Sequence, residues 1–226
     1  MSIVASAPSA LTRDAGFVTL FPGLSSAAQR TLAEVSEVRR VAAGSWLYGS
    51  GDPPAGLFAV LDGVAMVYVA LARGDDVLVH AALPGEVFGQ AAKLGHGPRL
   101  ATVLAARPSM FLHVPEAGLA EATRQHPEVW QALAGLLYAQ LGGTLTLLSE
   151  ALALTVRARL ASRLLQLSRR DGVVPLTQNH LAELTGSTRK TTSAVLQQFA
   201  TAGGVELRYR RIIVRDRAHL EEASRS

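Results

Sequence analysis

The chain has 226 residues, of which 49% are hydrophobic and 18% are charged, and its formal net charge is +4. This balance is typical of a globular protein long enough for two domains. Cysteine is absent, which excludes disulfides, thiolate-held iron–sulfur clusters and thiol redox switches. The first residues lack the basic stretch and apolar run of a secretory signal, so we expect a cytoplasmic protein.

Positive charge is concentrated in the last third of the chain. Residues 156–226 contain 13 Lys and Arg against 6 Asp and Glu, a balance of +7, whereas residues 1–155 contain 9 against 12, a balance of −3. A surface that binds nucleic-acid phosphates requires such a local excess. We therefore expect any DNA-binding unit to lie in the C-terminal part.

The N-terminal part is predicted to be rich in short strands. Residues 1–22 are predicted to form a leader, and Ser25 or Ser26 is predicted to cap a short helix that runs through Leu32. From residue 35 to residue 114, short apolar runs alternate with turn signals about every ten residues, which indicates an antiparallel sandwich or barrel. The predicted strands cover residues 46–48, 57–61, 64–69, 77–83, 102–105 and 110–114.

One long helix is predicted over residues 127–154. Residues 129–149 contain no charged residue, and about 20 such residues could also span a membrane. Polar residues such as Gln131 and Gln140 interrupt the run, and no basic stop flanks its N-terminal end, so we predict no membrane contact. A dimer helix explains the run better, because apolar side chains recur at spacings of three and four. The predicted dimer interface consists of Trp130, Leu133, Leu137, Leu141, Thr144 and Leu148.

Residues 177–199 predict two short helices joined by a tight turn. Thr177 and Thr188 are good N-caps for the two helices, and Gly186 supplies the backbone freedom that the turn needs. A helix-turn-helix that reads DNA has this construction, whereas the alternative is an ordinary helix pair with a solvated face. In the second helix we predict Thr192, Val195, Leu196 and Phe199 to face inward, and Arg189, Lys190, Ser193, Ala194 and Gln197 to face outward.

A β-hairpin wing is predicted at residues 205–214, after the helix stop at Gly203 and Gly204. With the helix pair it forms a winged helix-turn-helix domain over residues 155–226, and its arginines would lie beside the DNA backbone. Arg and Gln match base edges in the major groove, while Lys, Ser and Thr near a helix N-terminus suit phosphates. The predicted DNA-binding residues are Thr177, Gln178, Ser187, Thr188, Arg189, Lys190, Thr191, Ser193, Gln197, Arg208, Arg210 and Arg211.

The order of these parts resembles the cyclic-AMP receptor protein and fumarate-nitrate regulator (Crp/Fnr) family of bacterial transcription factors. The similarity is carried by Pro-Gly-Glu-Val-Phe-Gly at residues 84–89, by the Pro-Arg pair that ends at Arg99, and by residues 176–178 and 187–191. It implies an α+β fold with an N-terminal antiparallel β-roll, a jelly roll of the cyclic-nucleotide-binding type, over residues 23–126. It also implies a homodimer that binds a pseudo-palindromic double-stranded DNA site, and a contact with RNA polymerase.

The resemblance places an effector pocket in the roll, and this chain departs from the family there. The cyclic-nucleotide members have Gly-Glu where this chain has Gly89-Gln90, and Leu100 replaces a small hydroxyl residue. Arg99 matches the arginine that pairs with the cyclic phosphate, and Thr144 matches a hydroxyl that contacts the base. These five residues form the predicted pocket. Since two of the four polar contacts are replaced, at about 1 to 3 kcal/mol each, we expect no tight binding of cyclic AMP.

Two roles for Arg99 remain open at this point. Arg99 binds a different small anionic effector, or it pairs with an acidic residue such as Glu86 as a purely structural arginine. The absence of cysteine removes the cluster that the oxygen-sensing branch of the family holds.

The recognition helix also departs from the family. Lys190 stands where the best-known members have a glutamate that accepts from cytosine, and Ala194 replaces a common second arginine. A donor in place of an acceptor changes the preferred base. We therefore predict that the operator differs from the consensus of those members.

Three functions are consistent with the sequence. The first, which we adopt, is a dimeric transcription regulator, not an enzyme, whose roll binds an unidentified effector. The second is a constitutive DNA-binding regulator with a purely structural roll. The third is a barrel-type metalloenzyme with an appended binding module, for which His80 and His113 are the conceivable ligands in strand-like runs. No metal-ligand spacing supports the third function, so we predict no metal site. The sequence identifies no cofactor.

Overall fold

The computed structural model describes residues 20–21, 23–168, 171–209 and 211–225. The chain divides into one unit that ends at Leu141 and a second that begins at Gly142. Most of the predicted leader lies outside the described residues. Its described residues Leu20 and Phe21 are buried in the apolar core of the first unit.

The first unit begins with helix α1, Ser26–Val35, which is capped by Ser25 as predicted: its side chain accepts a hydrogen bond from the backbone N–H of Ala28. Two four-stranded antiparallel sheets follow, with strand orders β1-β8-β3-β6 and β2-β7-β4-β5. The strands are β1 Glu37–Val41, β2 Trp46–Tyr48, β3 Leu57–Asp62, β4 Ala65–Ala70, β5 Asp76–Ala82, β6 Val87–Phe88, β7 Thr102–Ala105 and β8 Ser109–Val114.

The core of the first unit has two parts. Between the two sheets, Phe58 and Phe111 from one sheet and Val103 from the other belong to a single buried cluster, as expected for sheets packed face to face. A second cluster contains Leu32 of α1 and Leu119 of helix α3, Glu116–Gln125. The β1-β8-β3-β6 sheet lies between the two clusters, so both of its faces are buried.

Strands β1 and β6 and the short helix α2, Gln90–Gly95, were not predicted. Strand β1 contains Glu37 and two arginines and has no clear apolar alternation, and β6 has only two residues. Both are defined by pairing with distant strands, β8 and β3, rather than by their own sequence.

Helix α4, Glu128–Ala153, has the predicted position and length. Its first turns pack into the roll, and Leu133 is 0% exposed within the core of its own chain. The prediction of Leu133 as a dimer contact is therefore wrong, since it has no surface to offer a partner. By length and composition alone, α4 could also cross a membrane.

The second unit contains the predicted winged helix-turn-helix with two additions. A three-stranded antiparallel sheet has the order β10-β11-β9, and its third strand was not predicted because it is two residues long. The final helix was not predicted either; Asp216 caps it by accepting from the N–H of His219. The elements are α5 Val156–Leu167, β9 Val173–Val174, α6 Gln178–Leu184, α7 Arg189–Thr201, β10 Val205–Arg208, β11 Arg211–Val214 and α8 Arg217–Ala223.

Candidate nucleic-acid interface and effector position

Both helices of the helix-turn-helix, α6 and α7, begin at the predicted caps. The Thr177 hydroxyl accepts from the N–H of His180 at 3.2 Å, and the Thr188 hydroxyl accepts from the N–H of Thr191 at 3.1 Å. Each cap satisfies one of the backbone donors that a helix N-terminus leaves unpaired. These two predicted DNA-binding residues therefore also set the start, and hence the direction, of α6 and α7.

A chain of hydroxyl groups holds the turn between α6 and α7. The Ser187 hydroxyl lies 2.7 Å from that of Thr192 and 3.0 Å from that of Thr185, and Thr185 donates to the carbonyl of Leu181 at 2.8 Å. If each hydroxyl donates once, the proton of Ser187 is used inside the protein. This geometry suits a turn-holding role for Ser187 better than its predicted DNA contact. The role of Thr185 was missed, since its only sequence signal was a hydroxyl residue just before the turn glycine.

The outward face of α7 is polar, exposed and uncommitted. Thr192, Leu196 and Phe199 are buried, as predicted, and hold the opposite face of the helix. Thr191 is exposed and its hydroxyl lies 3.0 Å from that of Thr188. Four of the side chains predicted to face outward are exposed and have no hydrogen-bond or ion-pair partner within the part of the chain that the structure describes. They are Arg189, Lys190, Ser193 and Gln197.

The remaining predicted contacts lie at the start of α6 and on the wing. Gln178 is half-buried at the first position of α6. Arg208 pairs with Glu206, which also accepts from Arg215 at 2.8 Å, and the hydrogen bonds from Arg215 and Arg208 lower the pKa of the Glu206 carboxyl. Arg211 is exposed opposite Arg208 in the hairpin.

Arg210 lies outside the described residues, and its predicted DNA contact stays a prediction. Arg211 has no side-chain partner among the residues that are described. Its charge is therefore better placed for a phosphate than that of Arg208, which Glu206 already compensates.

Polar contacts connect the end of α4 to α5, and α5 to the turn of the helix-turn-helix. The Glu150 carboxylate accepts from the Ser162 hydroxyl at 2.6 Å and from Nη2 of Arg163 at 2.7 Å. Burial lowers the pKa of Arg163. Arg159 donates to the carbonyl of Leu154 at 2.8 Å and to that of Thr185 at 3.1 Å, so one side chain contacts both the segment after the long helix and the turn.

Arg99, the predicted phosphate partner in the roll, is enclosed by its own chain. It is 2% exposed; Nη1 donates to the carbonyl of Gly89 at 2.9 Å and Nη2 to that of Gly56 at 2.8 Å. Its guanidinium carbon lies 4.2 Å from the ring centroid of Tyr48, within range of a cation–π contact. Burial lowers the pKa of Arg99 and raises that of Tyr48 to about 12.

Glu86 is not the partner of Arg99, so the pairing suggested from the sequence is wrong. The Glu86 carboxylate accepts from the backbone N–H of Leu83 at 2.8 Å and lies 2.7 Å from Nε2 of His80. The structural role suggested for Arg99 has backbone carbonyls and an aromatic ring as partners instead of a carboxylate.

Glycine is required at one of the positions that enclose Arg99. Gly89 has φ +100°, and a Cβ there would lie 2.5 Å from Nη1 of Arg99. A side chain would therefore be strained by the backbone and would also push the guanidinium from its place. Gly89 serves here to let the backbone carbonyl approach Arg99.

Gln90 is the second predicted pocket residue, and it is also committed. Gln90 is fully buried, and its Nε2 donates to Oε1 of Gln140 on α4 at 2.7 Å. Gln140 in turn donates from Nε2 to the carbonyl of Val87 at 2.7 Å. Sequence reasoning recognised Gln140 only as a polar interruption of the apolar run, because nothing local shows that residue 140 meets residue 90.

The other two predicted pocket residues are both exposed. Leu100 is 71% exposed, so it covers nothing. Thr144 belongs to the second unit, where it is exposed on α4. Of the five residues, the structure therefore joins Arg99 to the Gly89-Gln90 pair and leaves Leu100 apart.

These residues do not fit a cyclic nucleotide in this arrangement. A cyclic phosphate would have to take Arg99 from two carbonyls, and hydrogen bonds to a charged group contribute about 1.5 to 3 kcal/mol each. It would also leave the buried carbonyls of Gly56 and Gly89 without donors. The expectation that cyclic AMP does not bind tightly thus gains a physical reason, although binding itself stays a prediction.

The histidines considered as metal ligands have other partners. His80 contacts Glu86, and the buried His113 places Nδ1 3.0 Å from Glu37 and Nε2 2.7 Å from the carbonyl of Ala55. The hydrogen bond with His113 is the main cause that lowers the pKa of Glu37. Over the described ranges, no group of three or more His, Cys, Asp or Glu is arranged to hold a metal ion.

Comparisons with known proteins agree with the two-part construction. The cyclic nucleotide-binding domain family matches residues 38–126, and the Crp-like helix-turn-helix domain family matches residues 158–223. The chain is 33% identical to the cyclic AMP receptor protein of Thermus thermophilus, over 79% of this chain and 84% of that protein. It is 23% identical to a CRP-like cAMP-activated global transcriptional regulator of Mycobacterium tuberculosis, over 91% of this chain and 96% of that protein.

The fold is also shared with solved structures. That of FixK2 from Bradyrhizobium japonicum superposes with a TM-score of 0.75 at 24% identity, covering 84% of this chain and 97% of that one. The predicted fold class, a β-roll followed by a long helix and a winged helix-turn-helix, is therefore confirmed.

Proposed function

Because the chain belongs to the Crp/Fnr family of transcription regulators, we propose that it acts as a homodimer on a pseudo-palindromic DNA site. The observation that carries this proposal is the uncommitted outward face of α7. Arg189 and Gln197 there can each make two parallel hydrogen bonds to a base edge. The exposed Arg211 on the wing can pair with the backbone.

Dimer formation is supported by the surface of α4. Leucines that are exposed in the single chain recur at spacings of four, four, three and four, the pattern of a helix that packs along a second helix. A second copy of the same helix would cover this stripe and remove it from water. The stripe consists of Leu137, Leu141, Leu145, Leu148 and Leu152.

The stripe refines the predicted interface. Leu137, Leu141 and Leu148 stay in it, and Thr144 lies exposed on the same helix. Trp130 is 36% exposed, and its ring centroid lies 5.8 Å from Nζ of Lys93 in the same chain. We keep Trp130 and Thr144 as proposed contacts at the margin of the stripe.

The base preference of this chain is proposed to differ from that of the best-known family members. Lys190 is exposed one residue after the start of α7 and presents only donors. A donor at this position favours guanine or a phosphate over the cytosine amino group.

The wider setting follows from the relatives. They are transcription regulators, so we propose that this chain is not an enzyme, that it works in the cytoplasm and that RNA polymerase is a partner. A membrane role for α4 is not proposed, since a second copy accounts for its exposed stripe.

An anionic effector bound in the roll is the second candidate for control of this regulator. The observation that favours it is a pair of buried polar atoms, Oε1 of Gln90 and Nε of Arg99, which have no hydrogen-bond partner within the described ranges. Nε of Arg99 is a donor that could bind an anionic group, and Oε1 of Gln90 could accept from a hydroxyl or N–H group of the same ligand.

The test is selection of bound DNA from a random pool by the purified full-length protein, with sedimentation to determine its mass on DNA. We expect one dimer on a two-fold symmetric site whose half-sites lie about one helical turn apart, roughly 34 to 36 Å. Enrichment of no sequence, with and without a small-molecule extract, would contradict the proposal, and so would enrichment of an asymmetric site bound by one copy.

A further inference from the structure

We propose that a direct hydrogen-bond chain through Gln90 and Gln140 fastens the roll to α4, so that operator binding by this chain needs no cyclic nucleotide. The inference rests on the proposed function, because it concerns how the DNA-binding state is held. Its basis is the pair of 2.7 Å hydrogen bonds that run from Gln90 to Gln140 and from Gln140 to the carbonyl of Val87.

The carbonyl of Val87 determines which group donates in each of these two hydrogen bonds. The carbonyl of Val87 can only accept, so Gln140 must present its amide NH₂ to it. The carbonyl oxygen of Gln140 then faces residue 90 and requires a donor there. Glutamine supplies that donor, whereas the ionised glutamate of the cyclic-nucleotide members could not. Gln90 and Gln140 are therefore a matched pair, and the replacement of Glu by Gln gains a role within the protein.

The hydrogen bonds of Gln90 and of Arg99 meet at neighbouring residues. Gln90 is fully buried and follows Gly89, whose carbonyl accepts from Arg99. Arg99 also holds Gly56, and Val87 lies in β6, which pairs with β3 of the roll sheet. Gln90 and Arg99 are buried, whereas Gln140 is exposed, so it is the polar groups of Gln90 and Arg99 that are costly to leave without partners. Roll and helix are thus joined by groups that the protein supplies itself.

The same contacts leave little for a nucleotide to add. The guanidinium that would pair with a cyclic phosphate already binds two carbonyls, and the side chain of Gln90 is engaged with Gln140. Leu100 is apolar and faces solvent, so it offers no hydroxyl in exchange. A cyclic nucleotide would have to break this arrangement before it could replace it.

The experiment measures the affinity of full-length variants for the operator selected from the random pool, without added nucleotide. Gln140→Ala should weaken operator binding about tenfold, because coupling between two parts of a protein is typically of that size. Gln90→Glu should weaken it similarly, since it removes the donor. Gln131→Ala is the matched control, because Gln131 is an exposed glutamine on the same helix, and it should leave the affinity unchanged.

Two further measurements distinguish loss of the Gln90–Gln140 connection from a general loss of stability. The double variant Gln90→Ala/Gln140→Ala should be no weaker than either single variant, because both remove the same connection. For wild-type protein, about 1 mM cyclic AMP or cyclic GMP should change the affinity less than about twofold. This second measurement requires no variant and is independent of folding defects.

Equal affinity of Gln140→Ala and Gln131→Ala would overturn the inference, and so would strengthening of wild-type binding by about tenfold or more on addition of either nucleotide. In both cases the selected symmetric site would still stand, and with it the proposed function. Failure of the proposed function is recognised earlier, because no DNA would be enriched with or without nucleotide, and the inference would then fall with it.

Discussion

Arginine and glutamine occur as a pair in two regions of this protein, with opposite surroundings. On α7, Arg189 and Gln197 are exposed and have no side-chain partner in the described part of the chain. In the roll, Arg99 and Gln90 are buried and bonded to the backbone and to Gln140. All of these side chains carry strong hydrogen-bonding groups. A side chain is available to a ligand only if the fold has not already supplied its hydrogen-bond partners.

The difference also shows what a match to a family position can and cannot establish. The family resemblance predicts that Arg99 pairs with a phosphate, yet its Nη1 and Nη2 donate to the carbonyls of Gly89 and Gly56. Arg189 is predicted to contact DNA, and no side chain in the described structure competes for it. Four substitutions test this contrast, in order of decreasing expected effect.

Arg99→Met should lower the free energy of unfolding by about 3 to 5 kcal/mol, because two carbonyls lose their donors in a buried site. Chemical denaturation of the full-length protein measures this loss. Arg124→Met is the control, since Arg124 forms only an exposed ion pair with Glu121, and stability should hardly change. If Arg99→Met were as stable as the control, the enclosure of Arg99 would have no structural importance.

Arg189→Ala should weaken binding to the selected operator by about 1 to 3 kcal/mol, or about 5- to 150-fold, for each protomer, and relax the preference at one base pair of each half-site. Its affinity for unrelated DNA should fall much less, because the contact reads a base. Mobility-shift titrations on the operator and on single-base variants provide the measurement. Equal losses on all sequences would instead assign Arg189 to the backbone.

Arg211→Ala should weaken binding to all sequences alike and reduce the slope of log affinity against log salt by about 1.8, because one phosphate contact, worth about 0.9, is lost from each protomer of the dimer. Arg208→Ala is the useful comparison, because Glu206 already pairs with Arg208, and its effect on the slope should be smaller. A larger effect for Arg208 than for Arg211 would reverse the proposed roles on the wing.

His180, half-buried on α6, should give the smallest effect, a dependence of stability on pH. Burial lowers the pKa of the folded imidazole, whereas the unfolded chain takes up its proton near the ordinary value of 6.5. Stability should therefore be constant at high pH and fall as the pH drops below about 6.5. Thermal unfolding between pH 8 and pH 5 measures this fall, and His180→Gln should flatten it. An unchanged pH profile in His180→Gln would assign the dependence to another group.

The elements that sequence reasoning predicted well are those with local causes. Ser25, Thr177 and Thr188 cap their helices through bonds to residues three positions ahead. The long apolar run predicted most of α4, and glycine followed by β-rich segments predicted the wing. These signals lie within one or two turns of chain, so composition and spacing suffice.

The features that were missed depend on contacts between distant segments. Gln140 meets Gln90 across 50 positions, and Leu133 is buried because the first turns of α4 meet α1 and α3. Helical spacing could place Leu133 on the apolar stripe but could not tell which part of the stripe the roll covers. Packing, rather than pattern, decided between its own core and a partner.

Calorimetric titration of cyclic AMP into purified full-length protein tests most directly whether the roll is committed to its own contacts. We expect no saturable heat up to about 1 mM ligand, because Arg99 and Gln90 are already bonded within the chain. Saturable binding with a Kd of about 10 μM or tighter would contradict this expectation, since it would mean that Arg99 leaves its carbonyls for a phosphate.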